Sequence, residues 1–272
     1  MKNESVKQLS IHKFSESLLK VADDIVAVEE PLEIAILTSS SHKKPISITM
    51  RTPGQDKELA VGFLYTEGII QNAGQIEVVQ QISDNEIVVV LKNDEAIDLS
   101  KIERHFYTNS SCGVCGKSSI DQLRSVNPSH KVASNIKISP KVLTELNQIV
   151  RQTQTVFEST GGIHASALFS TSGELQCLFE DVGRHNALDK LVGHAVLNHH
   201  LPLEHNVLFL SGRASFELIQ KAAMAGIPII CALGAPSSMA IELANEFDIT
   251  LIGFLKIHSF NVYSRADRLL IL

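Results

Sequence analysis

Apolar runs separated by short polar turns set the rhythm of the first third of the chain. IVAVEEPLEIAIL (25–37) and KPISITMR (44–51) have strand composition, with the polar turn TSSSHK between them. In DKELAVGFLYTEGII (56–70) the apolar positions move to 59, 60, 63 and 64, then 69 and 70. That spacing is helical, and Gly68 ends it. IEVVQQI (76–82) and EIVVVLK (86–92) return to strand character on either side of the turn SDN. The order strand-strand-helix-strand-strand predicts a small open sheet carrying one helix.

KVASNIKIS (131–139) has linker composition, and Pro140 is suited to open a helix over 140–158. A domain boundary is placed near 130, dividing the chain into 1–130 and 131–272. The second part then reads strand HASALFS (164–170), turn TSGE, strand LQCLFEDV (175–182) and helix 184–199. Strand NVLFLSG (206–212), helix 215–225, strand IPIICAL (227–233), helix 237–247 and strand DITLIGFL (248–255) complete it. These last five elements have nearly unbroken apolar strands, which calls for a buried, mostly parallel sheet with right-handed crossovers. The expected fold class is α/β, or α+β over the whole chain.

Composition narrows the function. With 44% hydrophobic and 20% charged residues the 272-residue chain belongs with ordinary globular proteins, and it is long enough for one large or two moderate cores. A net charge of −6 argues against a general nucleic-acid binder, so an anionic ligand has to be held by a local cluster. The N-terminus lacks a leader-type apolar core, and the stretch IPIICALGA is too short to span a bilayer; the expectation is a cytoplasmic protein with no membrane partner. Its four cysteines are then expected to be reduced, with Cys177 and Cys231 serving as small buried hydrophobes in strands.

Ligands of an open parallel sheet bind at the carboxyl ends of its strands. Ser211, Gly212, Arg213, Ala214 and Ser215 follow the first of these strands, and Gly234, Ala235, Pro236, Ser237 and Ser238 the second. Lys256 and His258 follow the third. Free amides and the helix dipole at such positions suit an anion. Capping accounts for one serine per helix, at 215 and 237, without any ligand. It leaves Arg213, Gly234 and the serine pair unexplained, and these point to a phosphate-bearing ligand. No G-x-G-x-x-G or P-loop fingerprint is present. EDVGRHNALDKLVGHAVL (180–197) sets Arg184, His185 and Asn186 at a helix N-terminus, where the dipole disfavours cations. An anionic partner is expected there too, whereas Asp189 and Lys190 are equally well read as a solvated face.

GGIHASAL (161–168) raises a rival class, the zinc-dependent deaminases, which need H-x-E followed downstream by P-C-x-x-C. His164 is followed by Ala165 and Ser166, so the glutamate is missing, and the single C-x-x-C lies upstream. That pair, Cys112 and Cys115 in SSCGVCGKSS, allows three readings. Structural zinc needs a second ligand pair, and none exists. A redox dithiol wants a strand-to-helix setting, whereas the nearest helix candidate, 117–127, sits in no βαβ unit. A glycine-flexed arm bearing a reactive thiolate near Lys117 is the third. No resident metal site is expected.

VEEPLEIAI, MRTPGQDKELAVGFLYTEGII, SCGVCGKSSI, STGGIHASAL, EDVGRHNALDKLVG, SGRASFELIQKAA, GAPSSMAIELA and ITLIGFL together resemble the FdhD family, the accessory sulfurtransferases required for formate dehydrogenase activity. The resemblance implies a cytidine-deaminase-like second domain, a homodimer, and a sulfur carrier between a cysteine desulfurase and formate dehydrogenase. It maps the persulfide-bearing cysteine onto Cys112, with Cys115 as a second thiol. The implied acceptor is the molybdenum (or tungsten) bis-molybdopterin guanine dinucleotide, for which a guanine nucleotide can substitute. A non-catalytic chaperone that only escorts this cofactor is the alternative. Family cofactor binding is associated with the loop after the last strand, here Phe254, Leu255, Lys256, Ile257, His258 and Ser259. Relatives carry a glycine-rich, arginine-containing segment there. In FLKIHSFNVYS, Lys256 supplies a charge but not a guanidinium fork.

Overall fold

The computed structural model describes residues 5–38, 43–92 and 135–270. Cys112, Cys115, Lys117, the helix expected over 117–127 and the boundary placed near 130 lie outside the described residues. The chain opens with an antiparallel hairpin, β1 (Val6–Ser15) and β2 (Leu18–Ala27). Its turn residues, Glu16 and Ser17, both have positive φ (51° and 65°). Turns of this kind normally announce themselves as Asn-Gly or Asp-Gly, so Glu-Ser conceals the hairpin in the sequence. The apolar run 25–37 is accordingly two strands. Ile25–Ala27 close β2, and β3 (Glu30–Leu37) begins after a break at Val28 and Glu29.

β3, β4 (Lys43–Arg51), α1 (Asp56–Thr66), β5 (Ile76–Ser83) and β6 (Glu86–Leu91) realise the strand-strand-helix-strand-strand unit. Its sheet runs β4-β3-β6-β5, with the central pair β3 and β6 parallel. Leu32, Ile34, Ile36, Ile87 and Val89 alternate onto the face that packs against α1, the period-two pattern of a half-covered sheet.

The second part begins as its sequence expects: Pro140 opens α2 (Pro140–Thr153) and the Ser139 side chain accepts from the Lys141 amide. The helix expected to reach 158 breaks at Gln154. The Glu180 carboxylate accepts the amides of Val156 (3.0 Å) and Phe157 (2.9 Å), restarting the chain as α3 (Thr155–Thr160). β7 (His164–Ser170), β8 (Leu175–Asp181), α4 (Arg184–Leu197), β9 (Asn206–Leu210), α5 (Phe216–Met224), β10 (Ile229–Ala232), α6 (Ser238–Glu246) and β11 (Thr250–Gly253) follow in the predicted order. A further edge strand, β12 (Asn261–Ser264), follows β11 antiparallel. The sheet order is β12-β11-β10-β9-β7-β8. Parallel pairing holds for β9, β10 and β11, whereas β7 pairs antiparallel with both β8 and β9, so the sheet is mixed. The physical reason is connectivity: β7 turns tightly into β8, whereas helical crossovers through α4, α5 and α6 join β8, β9, β10 and β11, so β7 runs against both of its neighbours.

One apolar core joins both sheets. Leu208, Leu210, Ile230 and Leu251 face α4, α5 and α6, and the same cluster continues through α1 to the inner face of the four-stranded sheet. The opposite face of the six-stranded sheet packs on α2 through Leu143, Leu146, Val150, Phe169 and Phe209. α1 and α4 therefore lie between the two sheets, and both are buried nearly all round. They cross at Gly62 and Gly193. A Cβ on Gly62 would lie 1.8 Å from the Asp189 carbonyl oxygen, and one on Gly193 would lie 1.8 Å from the Glu58 carbonyl oxygen. Only glycine permits backbones this close. Among the described residues no helix is long and apolar enough to cross a membrane.

Candidate functional site

The polar residues of α4 divide into two sets. Asn186, Asp189 and Lys190, with Asp181 before them, face the first part of the chain and are buried. The Asn186 amide donates to the Met50 carbonyl (2.7 Å) and to Asp181 (3.1 Å), and its oxygen accepts from Thr49 (3.0 Å). Lys190 pairs with Asp181 at 2.7 Å, both side chains wholly buried, and donates to the Thr52 carbonyl. Asp189 pairs with Lys221 of α5, and Thr66 at the end of α1 bonds to both. A solvated face is thus excluded for Asp189 and Lys190: α1 and its sheet cover it, and each charge is paired and hydrogen-bonded as burial demands. Asn186, expected to meet the ligand, has its side chain spent on the same seam.

Arg184 and His185 point the other way, onto the carboxyl ends of the parallel strands. There the three loops are stitched by backbone bonds. Gly234 N–H donates to Gly212 O (2.9 Å), Ala214 N–H to Ala235 O (3.2 Å), Ser237 N–H to Ala214 O (3.0 Å), and Phe254 N–H to Gly234 O (3.2 Å). Close packing confirms the convergence: a Cβ on Gly234 would meet Arg213 at 2.9 Å, and one on Gly212 would meet the His164 ring at 3.3 Å. Residues 211–215, 234–238 and the start of 254–259 therefore form one rim. The amides of Gly234 and Ser237 are committed within it. What the rim offers a ligand is side chains: Arg184 and Arg213 make no hydrogen bond or ion pair among the described residues. Ser238, Lys256, Ile257, His258 and Ser259 are exposed beside them. Leu255 is buried in the core against α2 and presents no polar group.

The two capping serines behave differently. Ser237 accepts from the Ala240 amide, an ordinary N-cap, which is the simpler of its two readings. Ser215 makes no cap bond. Its hydroxyl donates to Glu217 (3.2 Å), whose carboxylate lies 3.0 Å from His185 Nε2. The bond to His185 holds the Glu217 carboxyl down at about 2. The pKa of His164 is likewise lowered from that of a usual imidazole, by burial and then by the charges of Arg184 and His185. Glu217 escaped notice in the sequence because an acid in a first helical turn is commonplace. A cavity of about 340 Å³ adjoins the rim through Ser211 and Leu233. His164, Asn147, Arg151 and Phe157 also line it; sequence pattern marks none of the last three, since they come from α2 and α3.

The described cysteines carry no reactive sulfur. Burial pushes the Cys177 thiol up to about 11 and raises that of the fully buried Cys231 as well. Among the described residues no group of His, Cys, Asp and Glu is arranged to hold a metal ion.

Residues 27–270 match the FdhD/NarQ family. The sulfur carrier protein FdhD of Streptomyces coelicolor is 46% identical over 256 residues, 90% of this chain and 89% of that one. The sulfur carrier protein FdhD of Sulfurisphaera tokodaii is 42% identical over 265 residues, 97% of this chain and 99% of that one. The same fold occurs in a crystal structure from Desulfotalea psychrophila of a protein provisionally assigned as a formate dehydrogenase accessory protein. It has a TM-score of 0.75 at 22% identity, over 97% of this chain and 99% of that one. The chain belongs to the FdhD/NarQ family.

Proposed function

We propose that this protein is a sulfurtransferase of the carrier type that serves formate dehydrogenase. It takes sulfur from a cysteine desulfurase as a persulfide and passes it to a molybdenum or tungsten bis-molybdopterin guanine dinucleotide, acting in the cytoplasm as a homodimer. The observation that carries this reading is the 46% and 42% identity, over nine-tenths or more of the chain, to proteins named sulfur carriers. The rim agrees with it. Among the described residues the side chains of Arg184, Arg213, Lys256 and His258 make no hydrogen bond or ion pair, which leaves their donors for the phosphates of such a cargo, with His185 held in place by Glu217.

The sulfur chemistry falls to Cys112 and Cys115. The Cys112 thiolate attacks the outer sulfur of the desulfurase persulfide, the S–S bond breaks, and the desulfurase leaves as a thiolate, with no net oxidation. Release as hydrosulfide follows when the Cys115 thiolate attacks Cys112 Sγ. The two electrons come from the thiol pair, which becomes a disulfide that a dithiol reductant returns to the starting state.

Mass spectrometry after incubation with a desulfurase and cysteine tests the proposal. A gain of about 32 Da that Cys112→Ala abolishes is the expected result. A folded wild-type protein that gains nothing would overturn sulfur transfer and leave an escort that only binds the cofactor.

A further inference from the structure

We infer that a cavity at the N-terminus of α1 captures the free C-terminal carboxylate of a peptide that carries a basic side chain near its end. The cavity, of about 920 Å³, lies between the start of β1, the loop from β4 into α1 and the turn from β5 to β6. It shares no residue with the strand-end rim, and its role is independent of the sulfur chemistry proposed above.

Arg51, the last residue of β4, lines this cavity with a side chain only 1% exposed. Its donors are unequally used. Nε and Nη2 form a fork on the Asp56 carboxylate (2.9 and 3.0 Å), and Nη2 also donates to the Asp84 carbonyl (2.6 Å). Nη1 makes no hydrogen bond, and the Glu30 carboxylate stands 3.7 Å from it, beyond hydrogen-bond range. Buried guanidinium nitrogens almost always find an acceptor, so one without it in a cavity wall marks where a ligand oxygen belongs. α1 adds donors to the same place. Gln55 gives no side-chain cap, and Leu59 is the first residue of the helix whose N–H is bonded, to Gln55 O (2.9 Å). The amides of Asp56, Lys57 and Glu58 have no partner among the described residues. Three free N–H groups at the positive end of a helix, beside a buried donor, suit a carboxylate.

The surrounding charges decide which carboxylate enters. Lys7 and Lys57 line the cavity with Arg51, but Glu30, Asp56, Glu58 and Asp84 line it too, four acids to three bases. A multiply charged anion such as a phosphate would meet that excess. A single carboxylate on a ligand that also brings a cation is matched to both signs. Arg51 and Asp56 neutralise each other, which leaves Glu30, Glu58 and Asp84 to receive the ligand's base. Size selects a chain end over a free amino acid: the cavity is near the upper end of ligand-pocket volumes, about 1,000 Å³, and Val6, Val28 and Pro53 give it apolar wall for neighbouring side chains.

Calorimetric titration of the full chain with acetylated tripeptides tests the pocket: Ac-Ala-Lys-Leu as the free acid, the same peptide as its C-terminal amide, and Ac-Ala-Glu-Leu as the free acid. The lysine acid should bind about tenfold or more tighter than its amide, which lacks the charged acceptor, and tighter than the glutamate peptide. Arg51→Lys keeps a cation against Asp56 but withdraws the Nη1 donors, so it should lose most of the acid-over-amide preference. Glu30→Gln changes a half-exposed side chain and should narrow the preference for lysine over glutamate. Thermal melting of each free protein shows whether it is folded; if Arg51→Lys is not, the acid and amide peptides on the wild-type chain and on Glu30→Gln still decide. Equal wild-type affinity for acid and amide, a full acid preference in folded Arg51→Lys, or no binding of the lysine acid at millimolar concentration would overturn the pocket. So would free L-lysine binding as tightly as the peptide, since the cavity would then read an amino acid rather than a chain end.

Discussion

Replacing Gly62 by alanine should destabilise the protein, against the usual sign of that change. In a helix interior alanine is ordinarily favoured over glycine by about 1 kcal/mol. Here the new Cβ would stand 1.8 Å from the Asp189 carbonyl oxygen and 2.8 Å from the Gly193 amide nitrogen, whereas real Cβ atoms essentially never approach below 3.0 Å. To clear that limit, α1 and α4 must part by at least about 1.2 Å. A gap of 0.5–1 Å already forfeits about a quarter to a half of the attraction between facing atoms, and this interface is lined by buried side chains along both helices. Overpacking of this severity belongs at or beyond the upper end of its usual range, so after the helix-propensity gain a net loss of about 3 kcal/mol is expected. For a chain of this size that is a fall in Tm of about 6–12 °C. Urea and thermal unfolding of Gly62→Ala, Gly193→Ala and the double variant check it. The double variant should cost less than the sum of the two, because the first substitution already separates the helices. A neutral or more stable Gly62→Ala protein would refute the close crossing.

Three further outcomes follow from the same geometry. Lys190→Met leaves Asp181 buried and uncompensated beside the Thr52 amide, and should cost about 3–5 kcal/mol in denaturant unfolding; a cost under about 1 kcal/mol would show that the pair is not buried. Glu217 titrates at about 2 when folded, below its ordinary 4.5, so its contribution is fully present above pH 4.5 and is lost as pH falls through 2. Glu217→Gln should flatten the stability profile across that acid window, and an unaltered profile would remove His185 as its partner. Phe254 sits at φ 52° with its ring exposed, so Phe254→Gly should relieve backbone strain and stabilise the fold by about 1 kcal/mol; a loss of stability would mean the ring packs against something.

Much of this fold is legible in the sequence because its apolar periods are strong. The helix 56–70 and the alternation of strands and helices from 164 onward appear in the structure within a few residues of their predicted ends. The hairpin β1–β2 is not legible, since its residues are mostly exposed on both faces and its turn lacks glycine. β12 is only four residues long and gives no period to detect. The split at Gln154 depends on Glu180, distant in sequence, whose carboxylate takes two amides. At the site, topology alone brings the strand-end loops together, which is why Arg213 and Gly234 could be paired in advance. The opposite faces of Arg184 and Asn186 could not be read from a motif. Both lie in one helical turn, and only the position of α1 decides which one is covered.

The glycine crossing also bears on how this molecule moves. Two helices in backbone contact, flanked by the buried pairs Asp181–Lys190 and Asp189–Lys221, leave no slack for one sheet to swing or slide against the other. The two sheets should open only together, as a single cooperative unit in amide exchange. Any adjustment to an incoming ligand is then confined to side chains and loops at the strand ends, and Arg184 and His185 keep a fixed address relative to both sheets.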